Sequence, residues 1–180
     1  MRIPIQLRSL TAVAILGLVA CGAPAGPDPE VAEAQAREEA VERTRKQVRM
    51  LDDLYKTAVV LITTHYVNES SSLPAGTAAI ALFDAMKEKG WHDISLLDAT
   101  GQPLVETNVP DDDFEKAALE KLKAGESWYD EVVEQDGKTH LRAATPIPVV
   151  LEKCIMCHPH YADAGEGEPI GLLSYIVPVE

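Results

Sequence analysis

Basic residues are scarce in this chain of 180 residues, which has 16 Lys and Arg against 29 Asp and Glu and a formal net charge of -13. Nucleic acids and anionic membrane surfaces attract proteins mainly through Lys and Arg. The charge balance therefore argues against both as partners. The length favours one domain that is large enough to bury a core of its own.

Cysteine is scarcer still, because the chain contains only three. Two of them, Cys154 and Cys157, are separated by two residues in the segment EKCIMCHPHY, and the third is Cys21. A disulfide between residues so close would constrain a very small loop and contribute little to stability. The pair at 154 and 157 therefore needs a chemical explanation other than a structural crosslink.

Long apolar runs are missing apart from LTAVAILGLVA at residues 10–20. A run of this length after Arg2 and Arg8 is typical of a targeting signal, and it is too short to span a bilayer. The run ends in LVAC, which resembles a bacterial lipoprotein signal. The resemblance implies a signal peptide at 1–20 and a lipid on Cys21 that anchors the chain on the periplasmic side of the cell envelope. An ordinary cleaved signal or an uncleaved anchor is the alternative.

The remaining chain is predicted to fold as an α+β domain. Residues 21–29 are rich in Pro and Gly and indicate a flexible tether, and residues 30–67 contain neither residue and predict one long helix. Within 68–180, a second helix ends at Gly90, two strands lie in 92–108, a helix lies in 110–125, and a hairpin with Asp136-Gly137 at its turn precedes a final strand at 170–179. About five short strands joined by hairpins predict an antiparallel sheet with helices on one side.

The long helix has two different halves. Its first half is charged almost all round, so we expect it to stand in solvent or to pair with another helix. Its second half carries an apolar stripe at spacings of three and four that must pack against the domain. The stripe consists of Val48, Leu51, Tyr55, Ala58, Ile62 and His65.

The order Cys, two spacers, Cys and His at 154–158 is typical of covalent haem attachment. The two thiols add to the vinyl groups of haem, and the adjacent His158 then lies under the iron as its proximal axial ligand. A closed zinc site needs about four protein ligands, and no second cysteine pair exists here to complete one. A thioredoxin-type dithiol belongs in a βαβ unit, which the element order does not contain. The sequence therefore predicts one covalent haem c on Cys154, Cys157 and His158.

Two segments, at residues 79–131 and 137–161, resemble the family of exported c-type haem domains with a PAS-like fold. Its members include free-standing cyanobacterial cytochromes and the outer-facing sensor parts of some receptor kinases. The resemblance covers roughly residues 75–178, and it implies a PAS-like sheet that cradles one haem. Some members supply a cysteine from the helix before the sheet as the second axial ligand. This chain has no cysteine there, and Phe83 stands near the expected place.

The second axial ligand stays open among several candidates. Met86 and His65 are the strongest, although a Met in an apolar helix or a lone His on a helix face is more often a core residue. His92 or an open site follows, and His160 ranks last because it is so near His158. Arg142 precedes the haem motif and is either a partner of a haem propionate or a solvated strand residue.

The function predicted from these features is that of a mono-haem c-type cytochrome in electron transfer or redox sensing, with an unknown redox or signalling protein as its partner. The alternative is a haem-based sensor of a small gas such as CO, NO or O2, which would work with a separate signalling partner. An enzyme is not expected, because the sequence shows no distal acid-base residues. The acidic run DDDFE at 111–115 is interpreted as a helix N-terminus.

Overall fold

The structure is a computed structural model that describes residues 28–67 and 74–180. The predicted signal segment, Cys21 and nearly all of the tether lie outside these residues. No helix within the described ranges is long and apolar enough to cross a membrane. The helices are α1 (Pro29–Tyr66), α2 (Ala75–Glu88), α3 (Asp113–Lys123) and α4 (Glu152–Cys157), with a 3-10 turn at Pro159–Asp163. The strands are β1 (Asp93–Asp98), β2 (Tyr129–Gln135), β3 (Lys138–Pro148) and β4 (Pro169–Pro178).

The strands form a four-stranded antiparallel sheet in the order β1-β4-β3-β2, which confirms the α+β class. The predicted hairpin is present, since Asp136 and Gly137 both have positive φ, at 52° and 73°, between β2 and β3. Positive φ at both central residues matches the right-handed twist of the two flanking strands.

The expectation of about five strands is corrected to four in the described part of the chain. The segment 102–108, predicted to be a strand, forms turns beside the end of β1. One backbone hydrogen bond, from the Asp98 N–H to the Asn108 C=O at 2.7 Å, joins it to that end. Pro103 has no N–H to donate to a ladder, which disfavours a paired strand at this point.

Helices cover both faces of the sheet, which corrects the expectation of helices on one side. α1 and α2 pack on the face that carries Leu141, Leu173 and Tyr175, and α3 packs on the face that carries Ala144 and Leu172. Neighbouring residues of a strand point to opposite faces. The central strand β4 is therefore buried almost throughout.

The first half of α1 is exposed at nearly every residue from 29 to 39, as expected, and it packs on the sheet from Val41 onward. Val41 and Val48 are buried there, and Arg45 donates to Asp130 of β2 at 2.7 Å. Arg49 lies over the ring of Trp128 at 4.3 Å. The charged residues thus hold the helix along the edge of the sheet, with their apolar stems covering it.

The apolar stripe of α1 is confirmed at its start and shifts at its end. Val48 and Tyr55 are buried, but further along the packed residues are Val59 and Thr63, and His65 is exposed. A stripe with alternating spacings of three and four repeats every 3.5 residues, whereas a straight helix turns once every 3.6 residues. The buried face of α1 therefore rotates gradually away from the predicted stripe between Val48 and His65.

A buried carboxylate joins α1 to the sheet. Asp52 Oδ1 accepts hydrogen bonds from Tyr175 Oη at 2.9 Å and from Thr145 Oγ1, and Oδ2 pairs with Lys56 Nζ at 2.9 Å. Burial and the Asp52 charge raise the pKa of Tyr175, so its hydroxyl stays protonated and donates. A carboxylate in a core is tolerated when its oxygens are satisfied in this way.

We predict that Gly171→Ala destabilises the protein, because a Cβ there would lie 2.9 Å from the backbone oxygen of Leu97 on the paired strand β1. Overpacking against a backbone atom costs about 1–3 kcal/mol. Gly76→Ala is the matched control, since its Cβ meets only the Leu96 side chain, at 3.5 Å, and it lies in a helix. We expect the control to be neutral or stabilising by at most about 1 kcal/mol. Urea denaturation measures both, and an equal loss in the two variants would contradict the prediction.

Candidate functional site

An apolar cavity of about 420 Å³ lies between the sheet and the helices of its α1 face. The second half of α1 and the start of α2 form two walls, and the ends of β1 and β3 together with the start of β4 form the floor. The turns at 103–108 and the segment from α4 to the 3-10 turn close the remaining sides. Pockets for small molecules and cofactors generally have volumes of roughly 300–1,000 Å³. The cavity thus has the size and the lining of a ligand site.

The C-x-x-C-H segment stands on the wall of this cavity. Cys154 and Cys157 are three residues apart on α4, so both side chains lie on one face of the short helix. His158 follows directly, and its N–H donates to the Cys154 C=O at 3.0 Å. Both thiols are free and half-buried, and both line the cavity together with the His158 ring. The three predicted attachment residues therefore meet at one place.

His158 is held by stacking rather than by a hydrogen bond at its buried nitrogen. Its ring is parallel to that of Tyr161, with centroids 4.3 Å apart, and its Nδ1 is buried without a hydrogen-bond partner. Burial lowers the pKa of His158, the neighbouring His160 lowers it further, and Asp98 acts in the opposite direction. Burial also raises the pKa of Tyr161 to about 12. At neutral pH the imidazole is therefore uncharged, which is the form that binds metals.

Lys153 fastens the motif to the long helix. Its Nζ donates to the backbone oxygens of Thr63, Thr64 and Val67 at 3.4, 2.9 and 2.7 Å. These carbonyls belong to the C-terminal end of α1, where no intrahelical donor remains and where a positive charge is favoured. The lysine therefore satisfies the helix end and keeps α4 beside the cavity.

None of the three leading candidates for a second axial ligand lines the cavity. Met86 is half-buried and packs in the core beyond the part of α2 that reaches the cavity. His65 is exposed on α1, because the packed face of the helix has drifted past it. His92 is buried and its Nε2 lies 2.9 Å from the hydroxyl of Tyr55. The lowest-ranked candidate, His160, is half-buried beside His158, and its Nε2 lies 3.4 Å from Thr100 Oγ1.

Arg142 lies on the opposite face of the sheet from the cavity. Its guanidinium pairs with Asp112 at 2.7 Å and with Glu115 at 3.8 Å, and it covers the Phe114 ring at 4.2 Å. These contacts hold α3 to the sheet. Asp112 also caps α3 by accepting from the Glu115 N–H at 2.8 Å, as the interpretation of the acidic run predicted.

Three charged residues that line the cavity were not predicted from the sequence: Lys56, Lys153 and Asp98. Lys56 stands four residues after Asp52 on a helix, a spacing that usually indicates an ordinary surface ion pair. Lys153 directly precedes Cys154, and this adjacency was the one sequence feature that could have placed it near the site. Asp98 lies within the segment 92–108 that was predicted to contain two strands. Their position at the cavity follows from tertiary packing alone.

The fold and the site together define the class of this protein: an α+β domain in which a C-x-x-C-H segment faces an apolar cavity. The chain belongs to the Tll0287-like family, a cyanobacterial cytochrome-like family, whose model (Tll0287) matches residues 32–172. The comparison with curated proteins gave no match. The family agrees with the resemblance seen in the sequence at the level of a cytochrome-like protein.

We predict that His92 makes the stability fall in mild acid. Burial lowers the pKa of His92 from its ordinary value of 6.5, so the unfolded chain binds this proton more tightly than the folded one. Above pH 6.5, His92 is uncharged in both states and does not reduce the free energy of unfolding. As the pH falls from 6.5 toward the lowered pKa of His92 in the folded protein, the free energy of unfolding decreases.

The pH dependence is measured by urea denaturation from about pH 7.5 down to about pH 5. His92→Gln should show a smaller decrease than the wild type, because Gln takes up no proton in this range. The matched control His65→Gln, at an exposed position on α1, should keep the wild-type decrease. A wild-type slope in His92→Gln would contradict the assignment.

Proposed function

We propose that this protein is a mono-haem c-type cytochrome that acts in electron transfer or redox sensing, within a PAS-like domain. One observation carries the proposal: the two thiols and the imidazole of a single C-x-x-C-H segment line one apolar cavity. Apolar surroundings and a histidine axial ligand are the means by which a protein tunes haem iron. No catalytic reaction is part of the proposal.

The residues present fit this cofactor in three ways. The donor set of two thiols and one neutral imidazole is the set that covalent haem requires. The thiols are free and unpaired with each other, so they are available as nucleophiles. The cavity is lined mainly by aliphatic side chains of α1, α2 and the sheet, which suit the flat apolar ring system.

Cys154 and Cys157 would hold the haem, each by adding its S–H across one vinyl double bond of the haem, so that a C–S bond would form and the hydrogen would go to the neighbouring vinyl carbon. No oxidant is consumed in this addition. His158, one residue beyond Cys157, would be the histidine ligand of the iron, and Tyr161 stacks against its ring at 4.3 Å and limits its rotation. The bound haem would supply one-electron chemistry.

A second function, the binding of a small gas, is favoured by the composition of the cavity wall. Among the described lining residues, His158 is the one histidine, the two cysteines are those of the motif, and methionine is absent. A wall whose described residues include no second histidine, no further cysteine and no methionine leaves room for CO, NO or O2. We keep electron transfer or redox sensing as the first proposal, with a separate redox or signalling protein as the partner.

The first test is whether the haem is covalent. Wild-type protein produced with a c-type maturation system should keep its colour after denaturation and acid-acetone extraction, because thioether bonds survive both treatments. Cys154→Ala/Cys157→Ala should yield protein that loses all colour under the same treatment. The matched control is Cys21→Ala with the signal left in place, which removes the cysteine outside the motif and should keep the covalent haem. Free extraction of haem from the wild type would refute the proposal.

The second test concerns the axial position opposite His158. We expect Met86→Leu, His65→Gln and His92→Gln to leave the ferric and ferrous absorption spectra unchanged, because these residues lie outside the cavity. His158→Ala should alter both spectra while the haem stays attached. A ferrous spectrum that changes on addition of CO supports gas binding, and an unchanged one supports electron transfer. A spectral change in any one of the three variants would assign that residue to the iron instead.

We also propose that the protein is anchored by a lipid on Cys21 at the periplasmic side of a bacterial cell envelope. Support comes from the sequence of residues 1–21, which lie outside the described structure. Mass spectrometry of the membrane fraction should find an N-terminal peptide that begins with diacylglyceryl-modified Cys21. Cys21→Ser should move the protein to the soluble fraction. An N-terminus elsewhere in the wild-type protein would contradict the proposal.

A further inference from the structure

Lys56 places a positive charge on the wall of the cavity. It stands on the second half of α1, and its side chain lines the cavity with 31% of its surface exposed. Its Nζ lies 2.9 Å from Asp52 Oδ2. The ammonium group thus lies between the carboxylate of Asp52 and the cavity.

The position of this ammonium group is set by Asp52, which is fixed from two sides. Asp52 belongs to α1, and its Oδ1 accepts from Tyr175 and Thr145 on two neighbouring strands. Its side chain is 15% exposed. Because Oδ1 is held by the sheet, Oδ2 is held as well, and Lys56 pairs with an acceptor that cannot easily turn away.

Lys56 has donors left for a ligand. An ammonium group has three N–H donors, and Asp52 is the partner that the described residues give to this one. The other lysine of the described lining, Lys153, directs its Nζ to three carbonyl oxygens of α1. Of the two lysines, Lys56 is therefore the one whose remaining donors are available to an anionic group in the cavity.

We propose that Lys56 is the binding subsite for a carboxylate of the cavity's ligand, namely a haem propionate, and that Asp52 positions it. The inference rests on the proposed function, because it takes haem as the ligand. A buried or half-buried carboxylate needs a paired positive charge and hydrogen-bond donors, and Lys56 supplies both at an apolar wall. Arg142, which the sequence suggested for this role, is on the other face of the sheet.

The experiment compares Lys56→Gln with Lys46→Gln in the full haem-loaded protein. Lys46 is an exposed residue of the same helix, outside the described cavity lining, so both variants lose one positive charge and differ only in its place. Lys56→Arg preserves the charge, and Asp52→Asn frees Lys56 from its partner. The two readouts are the propionate bending mode in the resonance Raman spectrum and the midpoint reduction potential.

Lys56→Gln should shift the propionate mode and lower the potential, because the propionate charge is then unbalanced and favours ferric iron. Lys56→Arg should restore the wild-type mode, and Lys46→Gln should change neither readout. Asp52→Asn should raise the potential, in the direction opposite to Lys56→Gln. A change of absorption spectrum and ligand field in Lys56→Gln would make Lys56 an iron ligand and would overturn the inference.

The outcomes separate this inference from the proposed function. Covalent haem in every variant together with equal readouts for Lys56→Gln and Lys46→Gln overturns the propionate subsite and leaves the cytochrome proposal standing. Shifts of the same sign in Lys56→Gln and Asp52→Asn would indicate a general loss of structure and would also overturn it. A wild-type protein without covalent haem refutes the cytochrome proposal and this inference together.

Discussion

The half-buried carboxylate of Asp52 holds the long helix on the sheet, and the position of the cavity depends on this contact. One carboxylate oxygen joins α1 to Tyr175 of β4 and Thr145 of β3. The other oxygen pairs with Lys56, one turn along the same helix. Toward the N-terminus from this point, α1 packs on the sheet through Val48. Toward its C-terminus, the helix faces the cavity instead. Because a charged group without partners is costly in a core, helix and sheet have one favourable alignment here.

The motif segment depends on this alignment through Lys153. At the end of α1, the backbone oxygens of Thr63, Thr64 and Val67 accept hydrogen bonds from Lys153, the residue beside Cys154. A shift of α1 along the sheet would therefore move α4 and both thiols with it. The positions of the cavity and of the two thiols on its wall therefore depend on the same packing of α1 on the sheet. A covalent cofactor between helix and sheet would need its attachment residues held rigidly in this way.

The two candidate functions differ in what stands opposite His158. In electron transfer, a second strong ligand limits the rearrangement of the iron between its oxidation states, whereas gas binding needs a position that a diatomic molecule can take. The aliphatic wall leaves room for such a molecule, and the cytochrome-like family favours electron transfer or redox sensing. Under both proposals Lys56 would matter in the same way, since a charge near a bound haem iron would change its reduction potential whichever ligand stands opposite His158.

Local sequence determined those features that depend on residues close together in the chain. Asp136-Gly137 predicted the hairpin because few residue pairs tolerate positive φ at two successive positions, and the Gly- and Pro-free stretch predicted α1 because nothing in it breaks a helix. The C-x-x-C-H spacing predicted that Cys154, Cys157 and His158 share one site, since a short helix brings them together by itself.

Tertiary structure decided what depends on residues far apart. The face of the sheet on which Arg142 lies, the drift of the α1 stripe past His65 and the place of Lys56 at the cavity all follow from how whole elements pack. The segment 102–108 was predicted to be a strand from its residues, yet it does not pair along its length with another strand. Only the end of β1 lies beside it, joined by one backbone hydrogen bond. Such outcomes are set by contacts between distant segments, whose energies no local pattern of residues encodes.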